Sequence, residues 1–209
     1  MVYTVMATRG PGDAQDALYP SVDAKFTIVE EDRDGIAPVW HAASAVRVDE
    51  SAGSTETPTG AVGSSFAMTD ARVLIRASTG TKKSEVEVGH VRYPWIQEVG
   101  YHQSTGVDDP GVVQFTVHLR GDDDVIVRRS VSLEVGKSGD PRAIALQAAV
   151  KIADYRLATT PNLSDDKRWT LAKLRTPKPP VREEAQLTLI RLPGSVHVSA
   201  DTAIPVTVG

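Results

Sequence analysis

The chain has 209 residues, 41% hydrophobic and 24% charged, with a formal net charge of −4 and no cysteine. That length suits one core with appendages, and the balance is that of an ordinary globular protein. The absence of cysteine excludes disulfides, thiolate metal sites and a cysteine nucleophile and fits a reducing compartment, while the acidic balance gives no long-range attraction for phosphate backbones or anionic lipid.

No charged leader followed by a long apolar stretch is found in Met1 to Gly10, and no window approaches the ~18 apolar residues of a membrane span. The expectation is a cytoplasmic protein with no stable membrane insertion and no nucleic-acid partner.

Residues 1–23, with the turn formers Arg9-Gly10-Pro11-Gly12-Asp13, are expected to form an N-terminal arm. A β domain is expected over 24–158. Phe26 and Ile28 alternate with Thr27 and Val29 as a strand before the turn Glu31 to Gly35, and Val39 to Val48 resumes an extended pattern. Asp49 to Ser65 is rich in Ser, Thr, Gly, Glu and Pro and reads as a long exposed loop.

Phe66-Ala67-Met68 and Arg72 to Arg76 flank Thr69-Asp70-Ala71 as a hairpin. A second hairpin is expected from Glu85 to Val88 and Val91 to Val99, with Pro94 at an edge or bend because it donates no ladder hydrogen bond. Val113, Phe115, Val117 and Leu119 alternate with Gln114, Thr116, His118 and Arg120, the clearest strand in the chain. Its partner runs from Val125 to Val135, where Arg129 falls on the core parity and a bulge is predicted to re-aim it.

Asp140 as N-cap, Pro141 at the first helical position, and Ile144, Ala148, Ile152 and Tyr155 at helical spacing predict an amphipathic helix over about 141–158. An extension over 159–209 follows: a short helix at about 165–174 capped by Ser164 with Trp169 and Leu171 inward, a Pro-rich linker, and a hairpin at about 185–198 turning on Pro193-Gly194.

This order of elements resembles the bacterial pleckstrin-homology-like (PH-like) domains over roughly Val39 to Leu157. The stretch Met68-Thr69-Asp70-Ala71-Arg72-Val73-Leu74-Ile75 looks like the family's turn before an Arg-led apolar strand, and Val91 to Val99 is similar to its apolar-Pro-x-x-Ile-x-x-Val run. The resemblance implies a mainly β fold: a bent antiparallel barrel or sandwich of about seven strands, one open end covered by the C-terminal helix. Phosphoinositide-binding members carry a basic cluster at the first hairpin, whereas this chain has Asp49-Glu50 to Glu56 there, with Arg47 the nearest base. Phosphoinositide binding is therefore not expected. Lys82-Lys83 reads as a solvated turn.

The five histidines, at 41, 90, 102, 118 and 197, do not share a helix with a carboxylate at metal-ligand spacing and read as structural or solvent-facing. Asp108-Asp109 and Asp122-Asp123-Asp124 lack the ligand pattern of a calcium loop. Gly60 to Ser65 lacks the Gly-Lys-Ser/Thr ending of a phosphate loop, and Ser64 and Ser65 have no nucleophile-elbow pattern. No catalytic, cofactor or metal residue is assigned. Tyr93, Trp95, Tyr101 and His102 form a possible interaction surface beside the Pro-bent strand, with packing inside the core as the competing role.

The expected function is a non-catalytic scaffold that binds a protein partner or itself, through an open strand edge or the face of the Asp49 to Ser65 loop. A small or lipid-like ligand in the mouth of the barrel is the alternative, and a hydrolytic enzyme a third.

Overall fold

The computed structural model describes residues 2–3, 20, 27–50, 55–56, 64–78, 86–106, 109–120, 126–135, 139–184 and 186–199. Among them the strands are β1 (Val2–Tyr3), β2 (Trp40–Glu50), β3 (Thr55–Glu56), β4 (Ser64–Met68), β5 (Arg72–Ser78), β6 (Val86–Arg92), β7 (Ile96–His102), β8 (Gly111–Arg120), β9 (Ile126–Val135), β10 (Arg182–Glu184), β11 (Leu187–Arg191) and β12 (Val198–Ser199). The helices are α1 (Pro141–Thr159) and α2 (Asp165–Lys173). Mainly antiparallel sheet with two helices is the architecture, and the described strands number twelve, several of them two or three residues long, rather than about seven. Lys82-Lys83, Asp108, Asp122-Asp123-Asp124, Gly60 to Gly63, and most of the expected arm and of the expected Asp49 to Ser65 loop lie outside the described residues.

The strands join in the order β1-β6-β5-β4-β2-β9-β8-β7-β11-β10, with β3 on β2 and β12 parallel to β8. This order has a geometric consequence. β6 and β7 are consecutive in the chain but six inter-strand steps apart in the sheet, which in a flat sheet is roughly 29 Å. The connection from Arg92 to Ile96, a single 3-10 turn at Tyr93–Trp95, can span at most roughly 14 Å. The sheet must therefore curl until the end of β6 meets the start of β7.

The second expected hairpin is thereby corrected. Gly89 and His90 lie inside β6, which pairs with β5, while β7 pairs with β8 and β11. Pro94 sits in the turn that carries the chain from one to the other, where its missing N–H costs nothing. Near Ile28 the structure has an isolated bridge residue in place of a strand. The bulge expected near Arg129 is absent, since β8 and β9 stay in register from Gly111↔Val135 to Arg120↔Ile126. Arg129 remains on the core parity, half-buried near the end of the strand, as a long apolar stem with a charged head permits. Register shifts occur instead in β2 between Ala43 and Ala45 and in β7 between Ile96 and Glu98.

The concave face is filled by Phe66, Val73, Ile75, Trp95, Ile96, Val113, Phe115, Val117, Val131 and Leu133, all buried. α1 lies against β7, β8 and the 3-10 turn, presenting Ile144, Ala145, Ala148, Ala149, Ile152 and Ala153 inward. The alanines allow the helix backbone to approach the sheet closely. Asp140 accepts from the backbone N–H groups of Arg142 (3.0 Å) and Ala143 (3.2 Å), a cap worth ~1 kcal/mol. Ser164 stands at the N-cap of α2 but makes no side-chain cap bond. Leu171 is buried as expected, whereas Trp169 is 62% exposed with the Lys173 ammonium 3.4 Å from its ring centroid.

One side chain ties three parts of the chain together. Arg156, fully buried on α1, donates to the carbonyls of Tyr93 (2.7 Å), Leu192 (2.6 Å) and Pro193 (3.1 Å), and also to that of Ile96. Burial lowers its pKa from the ordinary 12.5 to about 9, yet its acceptors are carbonyls that favour the guanidinium form, so it is charged at neutral pH. The turn at Pro193-Gly194, with φ of 83° at Gly194, serves this contact. Its flanking strands do not pair with each other: β11 pairs with β7 and β10, and β12 with β8. The expected terminal hairpin is thus replaced by β10–β11, added to the sheet beside β7.

Candidate functional site

The alternation that fills the core also builds the outer face. On β8, Val112, Gln114, Thr116 and His118 point away from the core, and the register places them beside outward residues of β7 and β9 and, beyond those, of β2, β11 and β10. Across the sheet, Arg47, Ser132, Gln114, Gly100, Leu189 and Arg182 form one row. Glu134, Val112 and His102 form the next, with Leu187 and Glu184 beyond. The small Ser132 and Gly100 leave a trough between taller banks. The result is an open groove of about 910 Å³ along β8, with Arg47 and Glu134 on one bank and Leu187, Leu189 and Glu184 on the other.

Its floor is already hydrogen-bonded. Gln114 Nε2 donates to Ser132 Oγ (3.0 Å), and Thr116 and Ser130 share a bond of 3.1 Å. A Cβ at Gly100 would sit 3.0 Å from Leu189 Cδ2, so a larger residue here asks that side chain to give way slightly.

At one end the turn after β7 supplies polar groups. His102 Nε2 lies 2.9 Å from both carboxylate oxygens of Asp109, which also accepts from the Thr105 backbone N–H (3.1 Å) and hydroxyl (2.5 Å). These bonds, that from the Thr105 side chain first and that from His102 next, hold the Asp109 carboxyl down at about 2. The Thr105 hydroxyl is committed to Asp109 rather than to His102, so the trio is a turn clasp and not a nucleophile with its base. Farther along β7, outside the lining of the groove, Glu98 gathers Arg128 (3.5 Å), Arg182 (3.4 Å) and Arg191 (3.6 Å). Beside it His118 meets His197 edge-on at 5.9 Å. Burial, followed by His197, lowers the His118 pKa, so that it is neutral at pH 7.

The four residues expected as one surface are separated. Tyr93 and Trp95 are buried: the Tyr93 hydroxyl donates to Thr69 O at 2.6 Å, and burial, with Asp70 and Asp34 nearby, raises its pKa. Tyr101 packs partly on the core, and His102 alone lines the groove. The 3-10 turn aims the two aromatic rings under α1, so they serve packing. Sequence reasoning missed Gln114, Ser132, Glu134, Leu187 and Leu189. The polar parity of β8 was visible, but the banks come from strands far apart in the chain.

A second polar cluster lies outside the groove. Buried Arg72 binds Asp34 (2.9 and 2.5 Å) and Glu31 (2.6 Å), and donates to His90 Nδ1 (3.1 Å). Arg92 binds both Glu31 oxygens (2.9 and 2.8 Å). This cluster seats residues 29–34 against β5 and β6. Its charges are paired within the chain, which marks it as an anchor.

Among the described residues no three His, Asp or Glu side chains are arranged to hold a metal ion. No described helix is long and apolar enough to cross a membrane. Comparison of the chain with protein-family models, with curated proteins and with solved structures finds no match.

Proposed function

We propose that the chain is a non-catalytic, PH-like binding module that holds a polypeptide partner in the groove along β8. The observation that carries this reading is the groove itself: an open trough floored by small and hydrogen-bonding residues and banked by side chains from separate strands. A polypeptide segment can lie in such a trough and use its polar floor. The PH-like part of the reading is supported by the order of β2 and β4 to β9, two antiparallel meanders joined at Tyr93–Trp95, with β9 returning to β2 and α1 following. A ligand in the mouth of the sheet finds less support, because Tyr93, Trp95, Phe66 and Phe115 already pack into the core beneath α1.

A random-peptide phage library panned against the folded chain tests this. Selected peptides should lose binding to Gln114→Trp, which fills the trough and leaves the core face untouched, with circular dichroism confirming the fold. Failure to select any peptide, or selection of peptides that bind the variant equally well, overturns the proposal.

A further inference from the structure

The cluster that anchors residues 29–34 also has the makings of a binding site. Arg72 and Arg92 stand opposite one another on β5 and β6. Their neighbours Val73 and Val91 belong to the core, so alternation turns both arginines to the outer face of the sheet. Both are buried there. Residues 28–39 lie over them and supply the anions, Asp34 to Arg72 and Glu31 to both. Two guanidinium groups thus meet two carboxylates.

Charge, more than apolar contact, holds this segment down. Of its large aliphatic side chains Ile28 alone is buried, while Val29, Ile36 and Val39 are 43%, 89% and 74% exposed. Its backbone meets the sheet at the Val29 carbonyl, which accepts from Arg72 Nη2 (3.0 Å), and beside it at the Asp34 carbonyl, which accepts from the Asp70 N–H (3.1 Å). Segments with few buried apolar contacts are those that open while the rest stays folded. Opening alone would leave two arginines facing each other without a counter-charge, so exchange for another anion is the route that keeps the balance.

The seat is also incompletely used. Arg92 gives both terminal nitrogens to Glu31 (2.9 and 2.8 Å), but among the described residues nothing accepts from its buried Nε–H. The two oxygens of Glu31 are taken up by those terminal nitrogens and by Arg72. A phosphate monoester presents three acceptor oxygens on a tetrahedron, enough to meet the Nε edge of Arg92 as well. Its charge of about −1.5 to −2 matches that of the two carboxylates it would displace. The occupant in place is a stretch of polypeptide, so the space over the arginines suits a chain carrying the phosphate.

We infer that the Arg72–Arg92 pair is a binding site for a phosphorylated serine or threonine in a segment of a protein partner, and that residues 28–39 are a built-in competitor for it. This site lies on other strands than the groove along β8 and does not depend on the reading of that groove. Because the competitor is tethered, the partner must displace a group present at an effective concentration in the millimolar range. The parent is therefore a weak binder, and removing the competitor's charge strengthens binding.

Fluorescence anisotropy at about pH 7.5, where the phosphate is mostly dianionic, tests the inference with a labelled Gly-Ser peptide carrying one phosphoserine. The same peptide with Ser or Glu at that position, inorganic phosphate and phosphoinositide vesicles complete the set, all at matched ionic strength. The parent should prefer the phosphopeptide by about tenfold or more, Glu31→Gln should tighten it about tenfold further, and Arg92→Met should abolish the preference. Hydrogen exchange at the Asp70 amide, which donates to Asp34 in the seated segment, should quicken with the phosphopeptide and not with its Ser version. Thermal unfolding gives a second reading: phosphate, compared with chloride, should raise the midpoint of Glu31→Gln more than that of the parent, and a Glu31→Gln chain that phosphate does not stabilise counts against the site. Absence of any phosphate-dependent binding, or a preference that survives Arg92→Met, overturns the site. Phosphopeptide binding that leaves Asp70 exchange unchanged overturns the competitor role of residues 28–39. Inorganic phosphate or vesicles binding more tightly than the phosphopeptide overturns the polypeptide partner.

Discussion

Arg72 and Arg92 stand directly opposite one another on β5 and β6, and the carboxylate of Glu31 bridges both guanidinium groups. Two like charges facing across a ladder repel, so the pair is tolerable only while Glu31 and Asp34 are seated on it. Arg72→Met should cost about 3–5 kcal/mol, because it strands buried Asp34 without its counter-charge. Arg92→Met should cost less, since its partner Glu31 keeps 24% of its side chain in water. Urea unfolding of the two variants measures the difference, and equal losses would count against this ordering.

The same cluster sets an acid limit. Burial acts to raise the Asp34 pKa, but bonds from Arg72 and from the Glu31 backbone N–H outweigh it, and the folded value lies below the ordinary 3.8. The unfolded chain therefore takes up this proton first. Asp34 contributes its full stabilisation above about pH 5 and loses it as pH falls through the unfolded value toward the folded one. Asp34→Asn should be less stable than the parent at neutral pH and show a smaller further loss between about pH 5 and 2, read from unfolding midpoints across that range.

Asp109 offers a test at a single atom. Carboxyl carbon NMR should give a titration midpoint near 2 in the parent. Thr105→Ala removes the hydroxyl donor that contributes most to this value and should move the midpoint up toward the ordinary 3.8. An unmoved midpoint would mean that the clasp is not formed in solution.

Arg156 is expected to be among the most sensitive positions. Arg156→Met leaves the buried carbonyls of Tyr93, Ile96 and Leu192 without their donor and should destabilise by about 3–5 kcal/mol. Arg156→Lys should recover only part of this, since one ammonium cannot span acceptors arranged for a planar fork. A fully restored unfolding midpoint in the lysine variant would show that charge alone suffices.

Gly35 is required by both conformation and space. Its φ is 71°, and a Cβ would lie 2.1 Å from Asp70 Oδ2. Gly35→Ala should cost more than about 1 kcal/mol, partly by pushing Asp70 from Lys151, its partner at 2.6 Å. Thermal unfolding of the variant checks this.

Local chemistry explains which parts of the fold were legible in the residues. The alternation of Val113 to Leu119 marks β8 because one face is buried and the other is wet, and Asp140-Pro141 marks the start of α1 because capping acts within one turn. Pairing partners are a different matter. Gly89-His90 has the composition of a turn, yet β6 runs through them, and what carries the chain to β7, six strands away in the sheet order, is the rigid Tyr93-Pro94-Trp95 turn. Pro193-Gly194 was correctly read as a turn and wrongly as a hairpin, since nothing local to it reveals that Arg156 holds its carbonyls. The groove was half visible, its floor in the polar parity of β8, while its banks depend on register between strands up to about 90 residues apart, which periodicity does not fix.

The pairing of β2 with β9 joins Ala43 to Val135, and this long closure bears on how the protein is made. A nascent chain must emerge past β9 before β2 can find that neighbour, and until then one side of β2 offers open main-chain groups to any passing strand. Closing so large a loop carries an entropic cost that only the completed layer repays, which favours slow, late consolidation over early local folding. Synthesis, more than the mature state, is the stage at which this protein is most exposed to misassembly.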